Sequence, residues 1–268
     1  MRGSIPSPGP STQHFGGNTP CVQVRCGAEH LIFDFGTGAR GLGERLQASA
    51  PSRATVFLSH YHHDHLQGLP FFAPLFGAAN AFTFHGPRCG RKSVEDVLAG
   101  QMSQPYHPVS PAEVFRAQVR YEDIRGGQTL RVGGAQVHTL ALHHPGGSLG
   151  YRVEFEGRSV VYATDVEPEP AADAQLVAFA RGADVLIYDA MYTEDEYLGR
   201  TGGTPRKGWG HSTWQAAVKM ARAAEVGSLV LFHHDPARDD AAIDALVELA
   251  RREFHNTQAA RESLVLRL

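Results

Sequence analysis

His60-Tyr61-His62-His63-Asp64-His65 places four imidazoles and one carboxylate in six consecutive positions. Just before it, Thr55-Val56-Phe57-Leu58-Ser59 is a short β-branched and apolar run that reads as a buried strand. Such a strand delivers the loop to a sheet edge, where α/β enzymes place their sites. In an extended loop His60 and His62 project the same way, while Asp64 and His65 come one turn later and face a second position. Imidazole with carboxylate suits zinc, iron or manganese rather than calcium. The competing reading is chance crowding on a surface loop, which would have to gather five ligand-type side chains at once. The loop is therefore read as metal-binding.

Outward from the loop, histidine stays the anomaly. Of the 15 in the chain, His143-His144 and His233-His234 form two further pairs, and His211 stands in Trp209-Gly210-His211-Ser212-Thr213. The rest of the composition is ordinary. The hydrophobic fraction of 42% can bury a sizeable core, and a charged fraction of 20% with a net charge of −3 excludes a broadly basic nucleic-acid coat. No apolar run approaches the roughly 18 residues of a membrane span, and the first residues lack the apolar core of a secretory signal. Cys21, Cys26 and Cys89 show no paired spacing and read as reduced thiols of a cytoplasmic protein.

Hydrophobic patterning predicts strands at 22–26, 31–35, 55–59, 81–85, 128–132, 136–141, 149–155, 159–164, 185–189, 228–232 and 264–268. Helices are predicted at 39–48, 66–76, from Ser93 to about Met102, and at 170–181, 212–224 and 239–254, with Ser212 or Thr213 capping the fifth of these. Residues 192–210 read as loop, and 88–125 as a less regular lid or wall over the site. Two βα-rich halves face to face with helices outside would accommodate this order: an α/β four-layer αββα sandwich over one domain, 1–268.

The 60–65 loop resembles the His-x-His-x-Asp-His signature of the metallo-β-lactamase superfamily. Its later motifs appear in order: His143-His144-Pro145, then Tyr162-Ala163-Thr164-Asp165, then Val230-Leu231-Phe232-His233-His234. The resemblance runs from about Gly16 to Pro236. It implies the αββα fold and two divalent metal ions, zinc first, with manganese and iron as alternatives. One ion would be held by His60, His62 and His144, the second by Asp64, His65 and His233, with Asp165 bridging. His144 is preferred to His143 for its spacing to Gly150-Tyr151, similar to the tRNA 3′-processing nuclease branch, and His233 to His234 because it ends the strand directly. Both choices stay open. Asp34, in Phe33-Asp34-Phe35-Gly36, resembles the superfamily's early strand-end aspartate, which orients a ligand histidine.

His211 stands at a predicted helix N-terminus, where dipole and free N–H groups favour an anion. A phosphodiesterase needs such a donor at a phosphoryl or leaving oxygen. The bland reading is a capping-region histidine bonded to backbone. Arg2-Gly3-Ser4-Ile5-Pro6, Gly16-Gly17-Asn18-Thr19-Pro20 and the segments following His144 and His233 resemble a phosphodiesterase-like branch, with phosphoribosyl cyclic phosphodiesterases and cyclic-nucleotide phosphodiesterases. The implied function is hydrolysis of a small cyclic or nucleotide phosphodiester by metal-activated water, with Asp64 orienting the water, Asp165 setting the metal spacing and His211 stabilising or protonating the leaving group. No arm of the kind that grips tRNA is read, which places a nucleic-acid substrate second; a membrane partner is not expected, and the resemblance admits a homodimer. The alternative on the same scaffold is a lactone, thioester or carboxylic ester hydrolase. An iron enzyme handling oxygen or sulfur, and a binding protein with a degenerate site, rank behind it.

Overall fold

The computed structural model describes residues 1–48 and 51–268, which divide into two compact units. Thr19–Arg125 is one. It carries β1 (Val22–Cys26), β2 (Glu29–Phe33), α1 (Gly38–Gln47), β3 (Arg53–Phe57), β4 (Ala81–Pro87), α2 (Val94–Gln101), α3 (Pro111–Val114) and β5 (Gln118–Ile124). The strands form one sheet in the order β1-β2-β3-β4-β5, antiparallel at β1–β2 and parallel thereafter. Parallel strands buried on both faces read as continuous apolar runs, as Leu31-Ile32-Phe33 and Val56-Phe57-Leu58 do. Ile32, Val56 and Phe84 share an apolar cluster with Ala39, Leu42 and Leu46 of α1, spaced to give that helix one buried stripe, and with Val94 and Leu98 of α2. Ser93 and Asp96 close a capping box on α2.

Two expectations fail in this unit. The helix expected at 66–76 is two 3-10 turns, Leu69–Phe71 and Ala73–Phe76, each begun by a proline at its first positions. Pro70 and Pro74 lack the N–H a continuous helix would use there, so each starts a turn and prevents an α-helix from running through. Within 88–125 the sequence reading missed β5, whose alternating half-buried and exposed residues, Gln-Val-Arg-Tyr-Glu, suit an edge strand.

The second unit joins Met1–Asn18 to Gly126–Leu268. Its elements are β6 (Thr129–Val132), β7 (Ala135–Leu142), β8 (Ser148–Phe155), β9 (Arg158–Ala163), α4 (Pro170–Ala180), β10 (Val185–Asp189), α5 (Glu194–Tyr197), α6 (Trp214–Ala223), β11 (Ser228–Phe232), α7 (Asp240–Glu253) and β12 (Thr257–Ala259). The sheet runs β12-β11-β10-β9-β8-β7-β6, an antiparallel meander through β9 and parallel from β9 to β12. Val161, Leu186 and Leu229 pack with Leu176 of α4, Val218 of α6 and the stripe Ile243, Leu246, Val247 and Ala250 of α7. Each such aliphatic side chain contributes roughly 1.5–3 kcal/mol when taken from water. Thr213 caps α6 by accepting from the Ala216 amide, and Asp239 caps α7 by accepting from that of Ala242.

The strand expected at 264–268 does not form. The position beside β11 is taken by Thr257–Ala259, which returns to the sheet directly after α7. Among the described residues no helix is long and apolar enough to cross a membrane. Each unit is a sheet with helices, the αβ half that the expected architecture requires.

Candidate metal centre

In the second unit β7 is antiparallel to β8 and β8 to β9, so β7, β9, β10 and β11 all end at one sheet edge. The residues that follow those ends are His143-His144, Thr164-Asp165, Asp189 at the last position of β10, and His233-His234. In the Thr19–Arg125 unit, β2 leads into Asp34 and β3 into Ser59-His60.

Asp34 organises the 60–65 loop. Its carboxylate is fully buried and accepts from the Ser59 amide at 2.7 Å, from the Ser59 hydroxyl at 2.8 Å, and from Nδ1 of His65 at 2.8 Å. Because the Ser59 hydroxyl spends its proton on Asp34, it can only accept at its 3.0 Å contact with Nδ1 of His60. Both imidazoles therefore carry their proton on Nδ1 and present Nε2 as the basic atom, the usual support for a metal-ligating histidine. The His60 ring centroid lies 4.5 Å from that of His62 and 4.3 Å from that of His65. Nε2 of His65 is 3.3 Å from Oδ2 of Asp64. Gly36 is required here, since a Cβ at that position would meet the Asp64 carbonyl oxygen at 2.2 Å. His63 is exposed.

At the other sheet edge His144 is buried and its Nδ1 donates to the Gly210 carbonyl at 2.8 Å, which again leaves Nε2 basic. His143 is exposed and bonds through Nδ1 to the Glu167 carbonyl oxygen. Nε2 of His233 lies 3.2 Å from Oδ1 of Asp165, and the His233 ring stacks on His211 at 4.9 Å. His234 is buried in an edge contact with Phe15 instead. Nδ1 of His211 is 2.9 Å from Oδ2 of Asp189. Asp165, Asp189, His211 and His233 all offer ligand-type atoms within 4.8 Å of one another.

The donors fit a transition metal. Two ligands each about 2.0–2.1 Å from a tetrahedral zinc stand roughly 3.3–3.4 Å apart, close to the 3.3 Å and 3.2 Å of the His65–Asp64 and His233–Asp165 pairs. The backbone points the same way. Among the described residues, seven non-glycine residues have left-handed φ, and the three buried ones are Asp34 (φ 58°), Asp165 (φ 50°) and His233 (φ 59°). Such conformations cost free energy and persist where the surroundings over-determine them, typically at functional sites.

Three contributors escaped the sequence reading. Asp189 ends a fully buried strand, a signal that was present but unused. Ser59 relays Asp34 to His60. Glu167, buried two residues after Asp165, accepts from the Gly208 amide at 2.6 Å, the Gly210 amide at 2.9 Å and the Tyr197 hydroxyl at 2.7 Å. Burial pushes the Glu167 carboxyl up, but these donors outweigh it and hold it below the ordinary carboxylate range.

A family model described as "Beta-lactamase superfamily domain" matches residues 31–234. Ribonuclease Z of Archaeoglobus fulgidus is 23% identical over 93% of this chain and 92% of its own length. Ribonuclease BN of Citrobacter koseri is 25% identical over 87% of this chain and 88% of its own. The crystal structure of the metallo-beta-lactamase fold protein YhfI from Bacillus subtilis superposes with a TM-score of 0.72 at 20% identity, covering 99% of this chain and 96% of that one.

Proposed function

The chain belongs to the β-lactamase superfamily, and on that premise we propose that it is a metal-dependent hydrolase of phosphodiesters. His60, His62 and His144 would hold one divalent ion and Asp64, His65 and His233 a second, with Asp165 completing the donor set. Zinc ranks first, with manganese and iron as alternatives. When bound, such ions supply Lewis acidity that lowers the pKa of water and offsets charge on the phosphoryl oxygens.

The chain's own residues do the rest. Asp34 fixes the tautomers of His65 directly and of His60 through Ser59. Asp64 orients the attacking water. His211 holds a proton at the leaving oxygen: Asp189 keeps Nδ1 occupied, so Nε2 is the exchanging position. The observation that carries the phosphodiester choice is this His211, braced by Asp189 and stacked on His233. It is a proton donor beside a ligand pair, as a poor alkoxide leaving group requires.

The sequence reading favours a small cyclic or nucleotide diester. The ribonuclease names of the relatives bring RNA forward beside it. A panel of bis-p-nitrophenyl phosphate, 2′,3′-cyclic nucleotides, a short RNA and an acyl lactone, each with zinc, manganese and iron, tests the proposal. Turnover of diesters without turnover of the lactone is the expected result. Lactone hydrolysis alone would replace it with the ester-hydrolase alternative.

A further inference from the structure

Trp209 is a large apolar side chain held in a fixed place without a core to fill. It is 50% exposed, yet the backbone on either side of it is anchored. The Gly208 and Gly210 amides donate to the two carboxylate oxygens of Glu167. The Gly210 carbonyl accepts from His144, and the Trp209 amide donates to the Arg206 carbonyl at 3.1 Å. The Arg206 guanidinium carbon lies 4.5 Å from the Trp209 ring centroid and 5.9 Å from that of Tyr192, so one indole face is backed by a cation that is itself packed. Beside this segment a cavity of about 430 Å³ is lined by His143, His144, Glu167, Glu169, Lys207 and Gly208.

An exposed indole on an anchored backbone stacks planar rings at little entropic cost, and every nucleobase has a π-face. We propose that Trp209, backed by Arg206, is the stacking platform for a nucleobase of the substrate, with the adjoining cavity and Lys207 receiving the rest of the nucleotide. The inference rests on the phosphodiesterase reading and deepens it: the substrate carries a base, and the segment 206–211 joins base recognition to the proton donor His211. The base belongs either to a mononucleotide-sized diester or to an RNA strand.

The chain has two tryptophans, and Trp214 is 7% exposed, so fluorescence quenching by a stacked base reports on Trp209. Titration of the metal-loaded protein with adenosine 5′-monophosphate should quench emission, and ribose 5-phosphate should not. By calorimetry, Trp209→Ala should weaken the nucleotide roughly tenfold or more, while Trp209→Phe retains most of the affinity. Absence of quenching, or unchanged affinity in Trp209→Ala, overturns the platform. A hexa-adenylate that binds tighter than the mononucleotide assigns it to RNA; equal affinity assigns it to a small diester. Wild-type turnover of bis-p-nitrophenyl phosphate, measured in parallel, judges the phosphodiesterase reading separately. Its absence sinks that reading, whereas turnover without nucleotide binding sinks the platform alone.

Discussion

Nδ1 of His211 lies 2.9 Å from Oδ2 of Asp189, whose other oxygen accepts the Met191 amide at 3.0 Å. The carboxylate is fully buried and ends a strand buried at every position. It has no freedom to turn away, so it fixes both the tautomer and the plane of the His211 ring. The Asp34–His65 pair repeats the device on the other unit. A proposed metal ligand and a proposed proton donor are thus built alike, each imidazole held by a buried acid at a strand end.

Replacing Asp189 by Asn keeps the shape but removes the carboxylate that accepts from Nδ1 of His211 and sets its tautomer. Turnover of bis-p-nitrophenyl phosphate should fall roughly 10- to 100-fold, and His211→Ala should lower it by about 100-fold or more. If Asp189 acts through His211, the double variant is little slower than His211→Ala. Metal content by elemental analysis should stay unchanged in all three. Metal loss on removing His211 would reassign it as a ligand, which its place within 4.8 Å of Asp165 and His233 makes a meaningful control.

These cases show what a sequence can reveal. The 60–65 loop was legible because its donors are contiguous, and the strands carrying His60, Asp165 and His233 were legible because buried parallel strands are unbroken apolar runs. Asp189 and Glu167 were not, since their meaning comes from partners 22 and up to 43 residues away. β5 hid because an edge strand needs only one half-buried face. The missing 66–76 helix and the misplaced last strand were errors of competition: two prolines outweighed apolar periodicity, and Thr257–Ala259 reached the sheet before the more hydrophobic tail.

Gly210 tests the link between the 206–211 segment and His144. Its φ is 87°, and a Cβ there would stand 2.3 Å from Nδ1 of His144. Gly210→Ala must either shift the segment or rotate the imidazole, and both break the 2.8 Å bond that sets the His144 tautomer. The expected outcome is roughly 10-fold or greater loss of metal affinity, read by competition with a chromophoric chelator. Unchanged affinity would remove His144 from the ligand set.

Asp34→Ala removes the acceptor for His65, the Ser59 amide and the Ser59 hydroxyl together. Leaving such buried donors unmet costs about 1–3 kcal/mol each. The variant should unfold at a distinctly lower temperature even after chelation of metal, and should bind zinc roughly 10- to 100-fold more weakly. If chelated wild type and chelated variant melt together, Asp34 serves the metal alone and not the fold.

Glu196 sets a pH prediction away from the site. Burial raises its carboxyl, but the Thr193 amide at 2.7 Å and the Arg238 guanidinium outweigh that and hold it below the ordinary glutamate value. The unfolded chain has no such partners, so between the two values it binds more protons than the folded one. The stabilisation is fully present above about pH 4.5, the unperturbed value, and is lost as pH falls through the depressed folded value. With the side chain 32% exposed, the pair is worth less than a buried one. Glu196→Gln should lower the melting temperature by about 2 °C at pH 7, and the two proteins should converge at an acidic pH below the depressed folded value, where both side chains are neutral. An equal difference at both pH values would show that packing of α5, and not the charge, supplies the contribution.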